Sequence, residues 1–212
     1  SMEALPEPGE RKARASKSQR YGTALTETIL MVSRDGTTFK RWNEAFIRPG
    51  IERPGTWTYG DSYMGWHFVE TPSDLPGAPN ELSFYVTESY WKGHASALRR
   101  YTLRIDGFVS VSASMNGGEL ITKPIIFDGE RLNLNFSSSA AGEILVEIQD
   151  LNGNPLENYS LNECAPVFGD SLERTVTWKK GSDLSGLSGK PVRVRFFIKD
   201  ADLYSFRFER IK

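Results

Sequence analysis

The chain has 212 residues, 39% apolar and 12% aromatic, so it can bury a core as one large or two small domains. Its 26 basic and 27 acidic side chains leave a formal charge of −1, which argues against a nucleic-acid or anionic-membrane partner and confines function to local sites. A single cysteine, Cys164, excludes an internal disulfide and a cysteine-based zinc site, and leaves the compartment open, a secreted or periplasmic parent included.

The opening Ser1-Met2 reads as an expression scar, so the chain is expected to be a piece of a longer protein. Residues 1–20 hold two prolines, mixed charge and almost no apolar residue, which predicts an extended arm. The basic run Arg11, Lys12, Arg14, Lys17, Arg20 is diluted by three glutamates and reads as a solvated face.

From Thr28 the pattern turns to β structure. "TILMVSRDGTTFKRW" is an apolar run, an Asp35-Gly36 turn and a return through Phe39 and Trp42, which predicts a hairpin. "YMGWHFVE" (63–70) and "ELSFYVTESYW" (81–91) follow, separated by the loop "TPSDLPGAPN", and "LRRYTLRI" closes the segment. Four successive antiparallel strands match one propeller blade. After Gly107, strands are predicted at 108–113, 119–121, 124–127, 131–136, 143–149, 172–178, 192–199 and 203–210. Turn signals separate them at Asn116-Gly117-Gly118, Asp128-Gly129, Ala141-Gly142, Asn152-Gly153-Asn154 and Gly186 to Gly189. The fold class is therefore all-β: an antiparallel, jelly-roll-like β-sandwich over 107–212, preceded by a propeller-blade-like antiparallel sheet over 21–106. "LRRYTLRIDGFVSVSA" (98–113) has the spacing of a hairpin but lies where composition changes, and is read as the seam between the modules.

Glycoside hydrolysis needs two carboxyl groups across a cleft. Before the seam the candidates are Glu44, Asp61, Glu70 and Glu88, with Glu44 and Glu88 embedded among apolar and aromatic residues. Structural ion pairs with arginines such as Arg48 or Arg99 are the competing reading. Trp57, Tyr59, Tyr63, Trp66, Tyr90 and Trp91 crowd into residues 57–91, either as a sugar-stacking cleft or as an interface between blades. His67 and His94 stand without a second ligand at metal spacing, so neither a metal site nor a histidine-based triad is predicted. Cys164 reads as a small buried residue. "DLNGNPLEN" (150–158) clusters oxygens as a structural calcium site would, but its glycine spacing reads as a plain turn, so no cofactor is expected.

Several of these motifs, "YGTALTETILMVSRDGTTFKRWNEAFIRPG", "ELSFYVTESYWKG", "LRRYTLRIDGFVSVSA" and "VRVRFFIKDADLYSFRF", together resemble the C-terminal part of an uncharacterised bacterial, planctomycete-like family. That family is similar to five-bladed β-propeller glycoside hydrolases of the invertase and arabinanase type. The resemblance implies a last blade over 21–106, a loop from an earlier blade over 1–20 and an appended sandwich after Gly107. The catalytic carboxyls of such enzymes lie in earlier blades with no counterpart here. The expected function is thus a non-catalytic portion that supports the propeller or binds carbohydrate, with an upstream propeller fragment or a second copy as partner. A stand-alone carbohydrate-binding protein and a small glycosidase using Glu44 and Glu88 are the alternatives. "SRDGTTF" also resembles the Asp-box of sialidase propellers without its spacer, and Asp35 is expected to bond backbone amides.

Overall fold

The computed structural model of the chain describes residues 1–5, 7–51, 62–88 and 97–210. The fold is all-β with antiparallel sheets, apart from short helical segments, and it divides into two compact units, Ser1–Leu103 and Arg104–Lys212.

The N-terminal residues correct the extended-arm expectation, because α1 (Pro8–Ala15) and α2 (Arg20–Thr23) form there. Pro8 occupies the first turn, where its missing N–H costs nothing, and Glu10 to Ala15 are good helix formers. Glu10 and Arg14 pair one turn apart at 2.8 Å. Counting apolar residues missed the helix because its burial comes from arginine stems. Arg11 is 2% exposed, and its Nη1 donates to the Gly22 carbonyl at 3.3 Å. A Cβ on Gly22 would sit 2.4 Å from Met2 Sδ, so this glycine permits close packing between the helices and the first residues.

In the first unit β1 (Thr28–Ser33) and β2 (Phe39–Ile47) form the expected hairpin, with Ser33 opposite Phe39 and Val32 opposite Lys40. Asp35 Oδ1 accepts from the Thr37 and Thr38 amides at 2.9 and 2.7 Å and from Ser33 Oγ at 2.9 Å, while Gly36 takes φ +75°. A second sheet follows in the order β3 (Val69–Thr71), β4 (Glu81–Glu88), β5 (Ala97–Arg104). Residues 62–65 also pair with β4, with Met64 opposite Val86, before His67 at φ +67° interrupts the ladder and β3 resumes it. The strands of the blade pattern are thus shared between a ribbon and a three-stranded sheet. Apolar contact joins the two: Ile47, Phe84 and Val86 are buried, with Phe46, Met64, Phe68, Tyr101 and Leu103 packed against them.

The second unit holds β6 (Val111–Ala113), β7 (Gly118–Ile121), β8 (Ile125–Ile126), β9 (Arg131–Gln149), β10 (Asp170–Thr175) and β11 (Pro191–Glu209). Their order is β10-β9-β11-β6, with β7 and β8 also on β11. Two pairs of predicted strands prove to be single 19-residue strands, β9 and β11, paired along their length. The Ala141-Gly142 turn signal has another cause. A Cβ on Gly142 would lie 2.2 Å from the Asp200 carbonyl oxygen, so glycine is there for a close backbone approach.

At that point the register jumps. Lys199 faces Glu143 but Ala201 faces Ser138, so four residues of β9 oppose Asp200, which has φ +42°. Inward positions on β11 change phase across this bulge, from Val192, Val194, Phe196 and Ile198 to Ala201 and Leu203. A bulge of this kind lets paired strands turn a corner of a β-sandwich. Leu132, Leu134 and Phe136 from one half of β9 and Ile144, Val146 and Ile148 from the other then line one core, all at 0% exposure.

At the seam, β5 belongs to the first unit's sheet while Val111 of β6 pairs with Leu203 of β11. Between them Gly107 N donates to the Arg104 carbonyl at 2.9 Å, and Asp106 takes φ +58°. Arg104 secures this turn: Nε donates to Asn135 at 3.1 Å, Nη1 to Asp170 at 2.8 Å, and the guanidinium lies 4.4 Å over the Tyr204 ring. The buried Asn135 donates to the Ile105 carbonyl at 2.7 Å.

Candidate functional site

Strand β4 alternates in burial from Phe84 to Thr87. Phe84 and Val86 enter the core, which turns Tyr85 and Thr87 to the opposite face, where Ser83 is itself buried at 1% exposure. Tyr63 lies opposite Thr87 and Gly65 opposite Tyr85 in the paired segment, so the two tyrosines are diagonal neighbours, roughly 7–8 Å apart on such a ladder. Gly65 has no side chain to cover Tyr85, and the rings stay accessible, Tyr63 at 46% and Tyr85 at 45%. Trp66, just beyond, is 91% exposed, with its ring edge toward His67 at 5.8 Å.

A row of ordered polar groups flanks this aromatic pair. Arg100 of β5 donates through Nε to Ser83 Oγ at 2.8 Å and through Nη2 to Glu81 at 2.8 Å and Thr71 Oγ1 at 3.3 Å. Thr71 and Ser83 share a hydroxyl hydrogen bond of 2.8 Å, and Asp74 lies 3.4 Å from Arg100 Nη1. Accessible rings beside fixed donors and acceptors are the complement of a pyranose or furanose, which has an apolar C–H face and a polar rim. Of the residues singled out from the sequence, Tyr63 lies on this face and Trp66 just beyond it, whereas Tyr85 and Arg100 were not singled out. The alternation in "ELSFYVTE" was the available signal for Tyr85; for Arg100 no local signal existed, because its side of the sheet depends on how β5 pairs.

The carboxyl candidates take different places. Glu44 is exposed on β2. Glu88 ends β4, where Arg99 grips both its oxygens, Nε at 2.7 Å and Nη2 at 2.9 Å, and Tyr101 donates to it at 3.4 Å. This is the ion pair weighed above as the alternative, and its hydrogen bonds raise the Arg99 pKa above its ordinary value. Glu70 accepts from Asn80 Nδ2 at 2.8 Å. Asp61, Trp57, Tyr59, Tyr90, Trp91 and His94 lie outside the described residues.

Other features resolve in structural terms. The hairpin bounds an open groove of about 620 Å³ lined by Val32, Asp35, Phe39 and Trp42, with Lys40 Nζ 5.0 Å over the Trp42 ring. Cys164 is buried, accepts from the Val146 amide at 3.2 Å, and burial pushes its thiol up to about 11, far from the activation a nucleophile needs. Asp150 closes its own turn, accepting from the Asn152 and Asn154 amides at 2.9 and 2.8 Å. Among the described residues no group of three or more His, Cys, Asp or Glu could hold a metal ion, and no helix is long and apolar enough to cross a membrane. Comparison with protein-family models, curated proteins and solved structures finds no match.

Proposed function

We propose that the chain is a non-catalytic, carbohydrate-binding portion of a glycoside-hydrolase-like protein, taking sugar on the open face of β4. The observation that carries this reading is the half-exposed Tyr63–Tyr85 pair beside Arg100 and Thr71, which the buried Ser83 hydroxyl holds in place. Stacking would supply affinity with little entropy to lose, and the polar row would select hydroxyl orientation.

Affinity electrophoresis through gels loaded with neutral polysaccharides, arabinan and fructan included, tests the reading. Retardation on at least one polymer is expected, with Tyr85→Ala and Tyr63→Ala each weakening it roughly tenfold at unchanged thermal midpoint. No retardation on any polymer, or retardation indifferent to the double substitution, overturns it.

A second reading is favoured by the apolar surface of the β1–β2 ribbon, where Met31, Val32 and Phe39 are 50%, 42% and 54% exposed. Such a surface suits a neighbouring propeller blade or a second copy of the chain. A concentration-dependent sedimentation coefficient would support the second copy.

A further inference from the structure

The outward face of the second unit's sheet carries a cluster that the sugar-binding reading does not use. Val192, Val194 and Phe196 point into the core, so Arg193 and Arg195 point out together on β11. Arg195 is satisfied at its tips, Nη1 by Glu147 at 3.2 Å and Nη2 by Glu119. Glu147 is 3% exposed and its oxygens are fully engaged: Gln149 Nε2 and Arg195 hold one, and the Leu161 amide holds the other at 3.1 Å.

Among the described residues Arg193 forms an ion pair with neither carboxylate. It stands opposite Gln149 on one side. On the other side is the Lys123–Pro124 step, bracketed by the Thr122–Val194 and Ile125–Val192 pairings. Among the described residues neither the Arg193 side chain nor exposed Lys123 has a hydrogen-bond or ion-pair partner, and the Nε atoms of both Arg193 and Arg195 are buried and unpaired. The Nη atoms of Arg193, unlike its Nε, are not buried, so they are the donors that an acceptor from solvent can reach. Three cations here face two carboxylates, so the surplus charge is positive.

We propose that Arg193 and Lys123 form an oxyanion-binding site, Arg193 forking a carboxylate or sulfate group while Lys123 adds a second positive charge. The accessible Nη1–Nη2 edge of a planar guanidinium matches the two oxygens of such a group. The shared chemistry belongs equally to an inorganic anion and to an acidic saccharide.

Amide chemical shifts of the full chain, followed at low ionic strength during titration with sodium sulfate, sodium glucuronate and neutral glucose, test the site. Shifts at residues 119–123, 147–149 and 193–195 with a dissociation constant in the millimolar range are expected for at least one anion and not for glucose. Equal response to both anions supports a general oxyanion site, and preference for glucuronate supports an acidic saccharide. Arg193→Gln should weaken binding roughly tenfold and Arg193→Lys less. Should Arg193→Gln fail to fold, Lys123→Gln, at an exposed position, should still weaken binding about threefold. No shift beyond a chloride control, or undiminished binding in the folded variants, overturns the proposal.

Discussion

Asp35 illustrates how a single side chain can write a turn. The Thr38 and Thr37 amides and Ser33 hold its carboxyl well below the ordinary 3.8. A depressed folded-state value means the charged form stabilises the hairpin fully above 3.8, and that this contribution is lost as pH falls below it. Trp42 lies on the same hairpin, so its fluorescence should report acid loosening in this window, and Asp35→Asn should flatten that pH dependence. Cys164 gives the opposite case. Its buried, raised thiol should react with a thiol reagent roughly a hundredfold slower in the native chain than in urea, and equal rates would show that the residue is accessible.

Strand β9 shows why residue types alone misplace an element's ends. Ala141-Gly142 has the composition of a turn, and Gly153, at φ +90° with open space around it, is one. The two glycines should respond differently to alanine. Gly142→Ala drives a Cβ into the Asp200 backbone and should cost about 3 kcal/mol, whereas Gly153→Ala should cost about 1 kcal/mol from backbone strain alone. Urea midpoints measure both. Truncation within the alternating core is a third comparison: Leu134→Ala, at 0% exposure, should cost about 3 kcal/mol. Alternation itself was plain in the chain at Leu132, Leu134, Phe136 and at Val192, Val194, Phe196. That the two halves of each strand are continuous was hidden, because continuity depends on which backbone passes beside residue 142.

At the scale of the molecule the two units differ in what they bury. The second unit's core joins Phe127, the six inward residues of β9, Trp178, Leu184 and the inward face of β11, while the first unit's described core is Ile47, Phe84 and Val86. Burial on the first scale supports independent folding, and burial on the second does not. A fragment of residues 104–212 should therefore unfold cooperatively in urea, and a fragment of residues 1–103 should give a broad, low-amplitude transition. The reverse result would place the stability in the wrong unit.

Period-two alternation, the Asp35-Gly36 turn and the crowding of Tyr63 and Trp66 with other aromatics are local properties, carried by neighbours in the chain and legible there. By themselves they determined an all-β protein with antiparallel sheets and singled out an aromatic segment. Whether Gly142 turns or lets a strand pass, whether Arg11 is solvated or buried, and whether Tyr85 and Arg100 share a face was decided only by tertiary structure. Each of these depends on which distant residue arrives on the other side: Asp200, Gly22, Gly65 and Ser83 respectively. A residue's composition and spacing specify what it can do, and its partner across the ladder determines which of those things it does.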